Sequence, residues 1–242
     1  MTGSDEGAGP PLVIFHNAQE QARRLADIVC MQLRAAITER GQASLALSGG
    51  STPAALYGEL CQRDLEWKNI RITLVDERWV APGEEGSNET FVRGALLRGA
   101  AAEAHFVGLW SDAPRPADGL AEAHVRLGAI GEEFDVVVLG MGNDGHTASW
   151  FPHAEGLQAA LAEDGTRLAA IKARPSIVTG DHLDRMTLTL GAIEKSQFIC
   201  LLTTGDTKRA AYELARREGP VDDMPVRAIL RKRQDLWACW AP

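Results

Sequence analysis

Residues 135–147 read DVVVLGMGNDGHT, and they indicate the fold class of the chain. The apolar run from Val136 to Leu139 predicts a strand that is buried on both faces. A glycine-rich turn follows at once, as it does where a parallel strand of an α/β sheet passes into a ligand-binding loop. This stretch therefore predicts a buried parallel strand with a functional loop at its carboxyl end.

On either side of this strand, apolar runs alternate with segments of helical periodicity. Strands are predicted at 12–15, 44–47, 70–75, 167–171, 186–190 and 197–202. Helices are predicted at 18–39, 88–98, 117–133 and 206–217, and one more runs from the turn at 48–53 to about residue 60. This order predicts an α/β fold with a mostly parallel central sheet and helices on both faces. Because no repeat or long linker divides the chain, residues 12–242 are predicted to form one domain, preceded by a flexible Gly/Pro-rich segment at 1–11.

The composition argues against several classes of function. The 242 residues carry a formal charge of −8, so the chain lacks the excess of cations that general nucleic-acid binding requires. The N-terminus has neither the basic region nor the apolar stretch of a signal peptide. No apolar run approaches the ~20 residues of a membrane helix. The four cysteines form no CxxC pair, which favours reduced core thiols over a zinc site. We therefore expect a cytoplasmic protein with no membrane or nucleic-acid partner; a monomer is compatible with the sequence, which leaves the oligomeric state open.

The loop SGGSTP at 48–53 is a candidate phosphate site. Gly49 and Gly50 let backbone amides approach a ligand closely, and Ser51 or Thr52 can cap the helix that follows. Amides at a helix start suit a phosphate group. A tight turn capped by a hydroxyl would explain the same residues, so the motif alone leaves both interpretations open. No Gly-Lys-Ser/Thr follows, which excludes a Walker loop.

Charged residues occur at three further places where strands or helices are predicted to begin or end. Asp76 and Arg78, in the segment DERWV, would lie at the mouth of a crevice, although a surface ion pair is the common alternative. Arg185 and Lys208 are cations that could bind a phosphate, the first bidentately and the second as a point charge. Taken alone, Arg185 is equally well explained as a surface charge at a strand end, and Lys208 is better explained as a solvated lysine at a helix start.

The loop after Leu139 carries the most informative residue, His146. An imidazole in a glycine-rich turn beyond a strand can take a proton from water near neutral pH, although it can also simply cap the next helix. The glycines also match GxGxxG, the dinucleotide fingerprint. That interpretation is disfavoured because the motif comes past residue 130 and no second strand ends in an acidic residue about 20 residues later. The sequence has no GxSxG elbow, so it offers no motif for a serine nucleophile, and any hydrolysis would use water as the attacking group.

Taken in order, the segments LALSGGSTPAAL, ITLVDERWV, SNETFVRGALL, DVVVLGMGNDGHTAS, DRMTLTLGAI and GDTKRAAYEL resemble the 6-phosphogluconolactonase family of the bacterial type. The resemblance runs from about residue 12 to the C-terminus. It implies a Rossmann-like three-layer sandwich and the hydrolysis of 6-phospho-D-glucono-1,5-lactone, a phosphorylated sugar lactone, in the oxidative pentose phosphate pathway. It also implies that no metal or cofactor takes part.

The same resemblance implies roles for individual residues. His146 would be the general base that activates water, with Asp76 and Arg78 beside the sugar. Asn88 would position a substrate hydroxyl or the DERWV segment, and Asp144 would shape the turn of His146. The phosphate-binding residues implied by the resemblance are Gly49, Gly50, Ser51, Arg185 and Lys208.

Two alternatives to the lactonase function remain open on the sequence. The segments also resemble glucosamine-6-phosphate deaminases, but Phe151 stands where those enzymes have a glutamate that helps ring opening, and Arg78 stands where they generally have tyrosine. A non-catalytic sugar-phosphate sensor could use the same phosphate site but would not need His146. The lactonase is favoured because it accounts for the histidine and does not need the missing glutamate.

Overall fold

The structure is a computed structural model that describes residues 9–242. Seven parallel strands form the central sheet in the order β1-β10-β9-β6-β2-β3-β5. Their bounds are β1 Leu12–Ile14, β2 Ala43–Leu47, β3 Ile70–Leu74, β5 His105–Phe106, β6 Val136–Gly140, β9 Phe198–Thr204 and β10 Trp237–Ala241. A second sheet is antiparallel, in the order β4-β8-β7, with β4 Asp76–Arg78, β7 Leu168–Lys172 and β8 Asp184–Leu188.

Helices flank the central sheet, as the sequence predicts for an α/β fold. All five residues of β2 and the first four of β6 are buried, and because side chains alternate along a strand, both faces of the sheet must be covered. The helices are α1 Ala18–Arg40, α2 Ala54–Leu60, α3 Asn88–Ala95, α4 Pro116–Leu127, α5 Leu157–Ala160, α6 Leu190–Ile193, α7 Asp206–Ala215 and α8 Val226–Lys232. The three-layer, mostly parallel architecture is confirmed.

Local signals account for the bounds of the longest helix, α1. The side chain of Asn17 accepts a hydrogen bond of 2.8 Å from the backbone N–H of Glu20, which caps the start of the helix. Gly41 ends the helix in a left-handed conformation, with φ of 76°. Apolar residues at helical spacing face the sheet and are buried, including Leu25, Val29 and Leu33. The prediction of a helix at 18–39 is confirmed to within one residue.

The sheet topology creates a crevice between β2 and β6. From β2 the chain continues outward to β3, whereas β6 is followed by strands on its other side. The loops after two such neighbouring strands diverge, and ligands of parallel α/β sheets bind where they do so. The SGGSTP loop and the GMGNDGHT loop leave the sheet at this point.

Several predicted elements need correction. The strand expected at 186–190 runs from Asp184 to Leu188, and it pairs with β7 and β4 outside the central sheet. The helices expected at 88–98 and 117–133 end at Ala95 and Leu127. Local sequence patterns did not predict β4, β5, β10, α5, α6 or α8, because these elements are short or depend on pairing and packing partners that are distant in sequence.

The described chain is packed from its first residue. Of the segment expected at 1–11, residues 1–8 lie outside the described residues, whereas Gly9 and Pro10 are buried. The hydroxyl of Tyr212 donates a hydrogen bond of 2.7 Å to the carbonyl oxygen of Pro10. All four cysteines are free, and three of them are buried. Among residues 9–242, no helix combines the length and the apolar run needed to cross a bilayer.

A buried carboxylate, Glu77, ties β4 to the start of α3. It accepts hydrogen bonds from the backbone N–H groups of Asn88, Glu89 and Arg78, at 2.7, 2.8 and 2.9 Å. Burial raises the pKa of Glu77 to about 7, against the lowering effect of the hydrogen bonds from Asn88 and Glu89. Glu77 therefore holds the first turn of α3, which carries Asn88, against the strand that carries Asp76 and Arg78.

We predict that Glu77 makes stability depend on pH. Its pKa is higher in the folded chain than the usual 4.5, so its stabilising contribution is greatest at low pH and falls as the pH rises towards 7. The free energy of unfolding of the wild type, minus that of Glu77→Gln, should fall by about 2 kcal/mol between pH 5 and pH 8. Denaturant titrations at several pH values measure this difference.

The matched control is Glu85→Gln, which changes an exposed carboxylate in the adjoining loop and should leave the pH dependence unchanged. A difference between wild type and Glu77→Gln that stays constant over this pH range would contradict the prediction. It would mean that the three N–H groups keep Glu77 ionised throughout.

Candidate active site

The crevice between β2 and β6 opens into a cavity of about 310 Å³. Residues from the central sheet's loops, from the small sheet and from α7 line it together. The sequence-predicted residues in its lining are Gly49, Gly50, Ser51, Asp76, Arg78, Asn88, His146, Arg185 and Lys208. Asp144 does not line the cavity, but its side chain contacts His146. The fold thus brings together residues that are up to 159 positions apart in the sequence, from Gly49 to Lys208.

The imidazole of His146 is oriented by the carboxylate of Asp144. The Nδ1 atom of His146 lies 2.6 Å from Oδ1 of Asp144, which also accepts a hydrogen bond from the backbone N–H of His146. Burial acts to raise the pKa of Asp144, but the hydrogen bond and charge of His146 outweigh it and hold that pKa below its usual value. An ionised carboxylate can only accept, so Nδ1 donates this hydrogen bond and Nε2 is the ring nitrogen left to exchange a proton with a substrate or water.

A glycine at position 142 leaves room for this histidine. A Cβ atom at Gly142 would lie 2.2 Å from the Nδ1 and Cε1 atoms of His146 and 2.6 Å from Oδ1 of Asp144. The N–H of Gly142 donates a hydrogen bond of 2.9 Å to the carbonyl oxygen of His146, which closes the turn. The imidazole therefore lies directly against the backbone of the loop that follows β6.

Asp76 is buried beside the histidine loop and is held from two directions. One carboxylate oxygen accepts a hydrogen bond of 2.6 Å from the hydroxyl of Ser149. The side-chain N–H of Asn88 donates to the carbonyl oxygen of Asp76 at 2.9 Å. Nothing in the sequence pattern pointed to Ser149, because 73 residues separate it from Asp76.

The side-chain oxygen of Asn88, Oδ1, lies against the glycine turn and has no hydrogen-bond partner among the described residues. A Cβ atom at Gly49 would lie 1.9 Å from this oxygen, so only glycine allows the two segments to approach so closely. Buried polar atoms are nearly always bonded in folded proteins. This oxygen is itself buried, so it packs against the backbone of the glycine turn and holds that turn beside the first residue of α3.

Arg78 and Arg185 face each other across the small sheet. They are paired residues of β4 and β8, and no carboxylate within residues 9–242 forms a salt bridge with either one. Burial lowers the pKa of Arg185 to about 10, partly offset by the charge of Asp76, so the guanidinium stays charged at neutral pH. Like charges on directly opposite residues are unfavourable in a sheet, and an anion in the cavity would relieve the repulsion.

Lys208 brings a third cation to the cavity from the first turn of α7. Its amino group donates a hydrogen bond of 3.3 Å to the hydroxyl of Thr52, and burial lowers its pKa. The expectation that Ser51 or Thr52 caps α2 is wrong: Pro53 occupies the N-cap position and no side chain bonds to the helix start. Thr52 instead serves as the acceptor for Lys208.

Backbone amides complete the positive side of the cavity. Among residues 9–242, no protein group accepts a hydrogen bond from the N–H of Gly49, Gly50 or Ser51. In the same part of the chain, no three His, Cys, Asp or Glu side chains lie close enough together to hold a metal ion. The cavity therefore brings together the imidazole of His146, cations that pair with no carboxylate of residues 9–242, and backbone N–H groups that donate to no group of the same residues.

Comparison with known proteins agrees with the sequence motifs. The family described as glucosamine-6-phosphate isomerases/6-phosphogluconolactonase matches residues 16–238. The chain is 41% identical over 230 residues to a 6-phosphogluconolactonase of Rhizobium meliloti, covering 95% of this chain and 97% of that protein. It is 40% identical over 224 residues to one of Pseudomonas aeruginosa, covering 93% and 92%.

A solved structure is similar over nearly the whole chain. The crystal structure of a 6-phosphogluconolactonase from Shewanella baltica has a TM-score of 0.90 and 38% sequence identity, and the match covers 96% of this chain and 98% of that one. The likeness includes the central sheet and the loops that form the crevice, since so little of either chain lies outside the match. The chain therefore belongs to the glucosamine-6-phosphate isomerase/6-phosphogluconolactonase family.

Proposed function

We propose that this protein hydrolyses 6-phospho-D-glucono-1,5-lactone to 6-phosphogluconate, the lactone-opening step of the oxidative pentose phosphate pathway. The observation that carries the proposal is that one cavity holds both an imidazole oriented by Asp144 and a group of cations that pair with no carboxylate of residues 9–242. A phosphorylated lactone needs both features, one at its carbonyl carbon and one at its phosphate. The relatives named as 6-phosphogluconolactonases support the same function.

In the proposed mechanism, Nε2 of His146 takes a proton from a water molecule as that water attacks the C1 carbonyl carbon. The resulting imidazolium is stabilised by Asp144, whose carboxylate lies 2.6 Å from Nδ1. The tetrahedral intermediate then collapses: the bond between C1 and the ring oxygen breaks, and His146 returns the proton to that oxygen. Such proton transfer typically contributes ~10²–10⁴-fold to the rate.

The other cavity residues would bind and orient the substrate. Arg78 can stabilise the oxyanion that forms at C1, because its guanidinium donates to the carbonyl oxygen of Gly86 and pairs with no carboxylate of residues 9–242. Asp76 can accept hydrogen bonds from sugar hydroxyls, and Ser149 and Asn88 hold it in place.

The substrate phosphate would occupy the opposite end of the cavity. The amides of Gly49, Gly50 and Ser51 have free N–H groups for its oxygens. Arg185 and Lys208 add charge at the same end. In this arrangement the SGGSTP loop binds the part of the substrate that does not react, and the phosphate fixes the distance from the base to C1.

The deaminase alternative is less well supported by the residues around His146. Phe151, where the deaminases have a glutamate, is an apolar ring 4.4 Å from the imidazole, centroid to centroid. A ring in that position cannot exchange a proton with a sugar that must open before it isomerises. We also propose a cytoplasmic location, which is consistent with four free cysteines.

The proposal predicts lactone hydrolysis without deamination, and a requirement for His146. The lactone is generated in situ by oxidising glucose 6-phosphate, and its loss above the uncatalysed rate is compared with ammonia release from glucosamine 6-phosphate. His146→Ala should lower kcat by about 10²–10⁴-fold and leave the affinity for 6-phosphogluconate within about twofold, because the phosphate site is unchanged.

His124→Ala is the control, since it removes an exposed histidine of α4 and should keep wild-type kinetics. Ammonia release by the wild type without lactone loss would refute the proposed function. A near-normal kcat for His146→Ala would refute only the choice of base.

Gly142→Ala should impair the base without removing it. The new methyl group would meet the imidazole at 2.2 Å, so the ring must move away from its place beside Asp144. We expect kcat to fall at least tenfold with the melting temperature nearly unchanged, measured by steady-state kinetics and calorimetry. The matched control is Gly94→Ala in α3, where nothing lies within 4 Å and activity should persist. Equal activity in the two variants would show that the imidazole does not need its present position.

Lys208→Ala should weaken the binding of the phosphorylated substrate more than it slows the reaction. Within the described chain its ammonium pairs with no carboxylate and bonds only the hydroxyl of Thr52, so the variant loses attraction for phosphate and KM should rise about tenfold. Hydrolysis of the unphosphorylated glucono-1,5-lactone should change less than twofold, and exposed Lys172→Ala serves as the control. Equal losses on both lactones would count against a phosphate-binding role.

A further inference from the structure

The ring of Phe151 contacts both the proposed base and one of the proposed phosphate-binding cations. Its centroid lies 4.4 Å from the centroid of the His146 imidazole and 4.9 Å from the guanidinium carbon of Arg185. Phe151 is only 3% exposed and does not line the cavity, so it supports the two groups from behind. Among the ring–ring and cation–π contacts at 9–242, only those of this ring involve two of the proposed site residues.

The backbone around Phe151 is held in an unusual conformation. Ala148 and His153, on either side of it, have φ of 48° and 54°, the left-handed region that residues other than glycine rarely adopt. Such conformations persist only where the surrounding structure holds them in place.

Two hydrogen bonds to the strand of Arg185 supply that support. The indole N–H of Trp150 donates to the carbonyl oxygen of Leu188 at 2.8 Å, and the N–H of Ser149 donates to the hydroxyl of Thr187 at 3.3 Å. Both acceptors belong to β8. The segment that carries Phe151 is therefore anchored to the strand that carries Arg185.

We propose that Phe151 is a positioning residue that fixes the imidazole of His146 relative to the guanidinium of Arg185. This inference rests on the proposed function, in which these groups act at opposite ends of one substrate. A close-packed ring in contact with both groups keeps each from shifting independently of the other. Its face also attracts the guanidinium and the imidazolium that forms when His146 takes its proton. Phe151 thereby makes the site specific for a lactone whose phosphate lies at a set distance from the carbonyl carbon.

The chain offers a matched control for the loss of such a ring. Phe134 is fully buried, and the guanidinium carbon of Arg167 lies 5.2 Å from its centroid. Phe134 precedes β6, so it lies at the end of the sheet opposite the cavity. Phe134→Leu therefore removes a comparable buried ring beneath an arginine without touching the site.

The experiment compares Phe151→Leu, Phe151→Met and Phe134→Leu on phosphorylated and unphosphorylated gluconolactone. Both Phe151 variants should lower kcat and raise KM for the phosphorylated lactone, and the ratio of kcat/KM between the two lactones should fall about tenfold. Phe151→Tyr, which keeps the ring face, should restore most of that ratio. Phe134→Leu should lower the melting temperature by a similar amount and leave the ratio within twofold of wild type.

A second measurement needs no turnover. Calorimetric affinity for inorganic phosphate should fall in both Phe151 variants and stay at the wild-type value in Phe134→Leu. Wild-type protein that does not hydrolyse the lactone would refute the proposed function, and the phosphate affinities would still decide the effect of Phe151 on Arg185. Unchanged phosphate affinity and an unchanged substrate ratio in Phe151→Leu and Phe151→Met would overturn the inference, because the ring would then be ordinary core packing.

Discussion

The site depends on the parallel pairing of β2 with β6 on one side and with β3 on the other. Leu47, the last residue of β2, lies beside Val138 in one register and beside Leu74 in the other. β2 and β3 therefore end at the same level and β6 runs two residues further, so the three following loops leave the same edge of the sheet. Because β2 is buried on both faces, a shift in its register would disrupt close packing on both, so the core that stabilises the sheet also fixes the place of the loops.

The small antiparallel sheet contributes two positively charged side chains to the cavity. It places Arg78 and Arg185 on opposite residues of β4 and β8, in a chain whose formal charge is −8. Repulsion between the two guanidinium groups is tolerated because Asp76 lies near and because an anionic ligand is expected there. Glu77 holds the first turn of α3 against the same strand, so one short segment carries both a structural carboxylate and residues of the cavity wall.

Close approach, rather than flexibility, characterises the cavity. Glycine at positions 49 and 142 lets side chains lie directly on the backbone, and the left-handed Ala148 and His153 turn the chain sharply on either side of Phe151. Groups held this tightly cost little reorganisation when a reaction begins, which is the general advantage of a preorganised site. Contacts between segments that are distant in the sequence hold these side chains in place.

Local patterns along the chain were enough to predict the fold class, the strands of the central sheet around the crevice, and the loops in which the candidate site residues occur. Apolar runs, helical periodicity and glycine-rich turns are local signals, and they predicted α1, β2, β3, β6 and β9 close to their observed bounds. The second sheet forms through tertiary pairing that no local pattern indicates. In it Arg185 belongs to β8 and lies opposite Arg78, whereas the sequence predicted a strand that begins one residue later. The tertiary structure likewise decided the contact of Ser149 with Asp76 and that of Phe151 with Arg185. These contacts join residues far apart in the chain, and hydrophobic periodicity carries no information about which distant segments will meet.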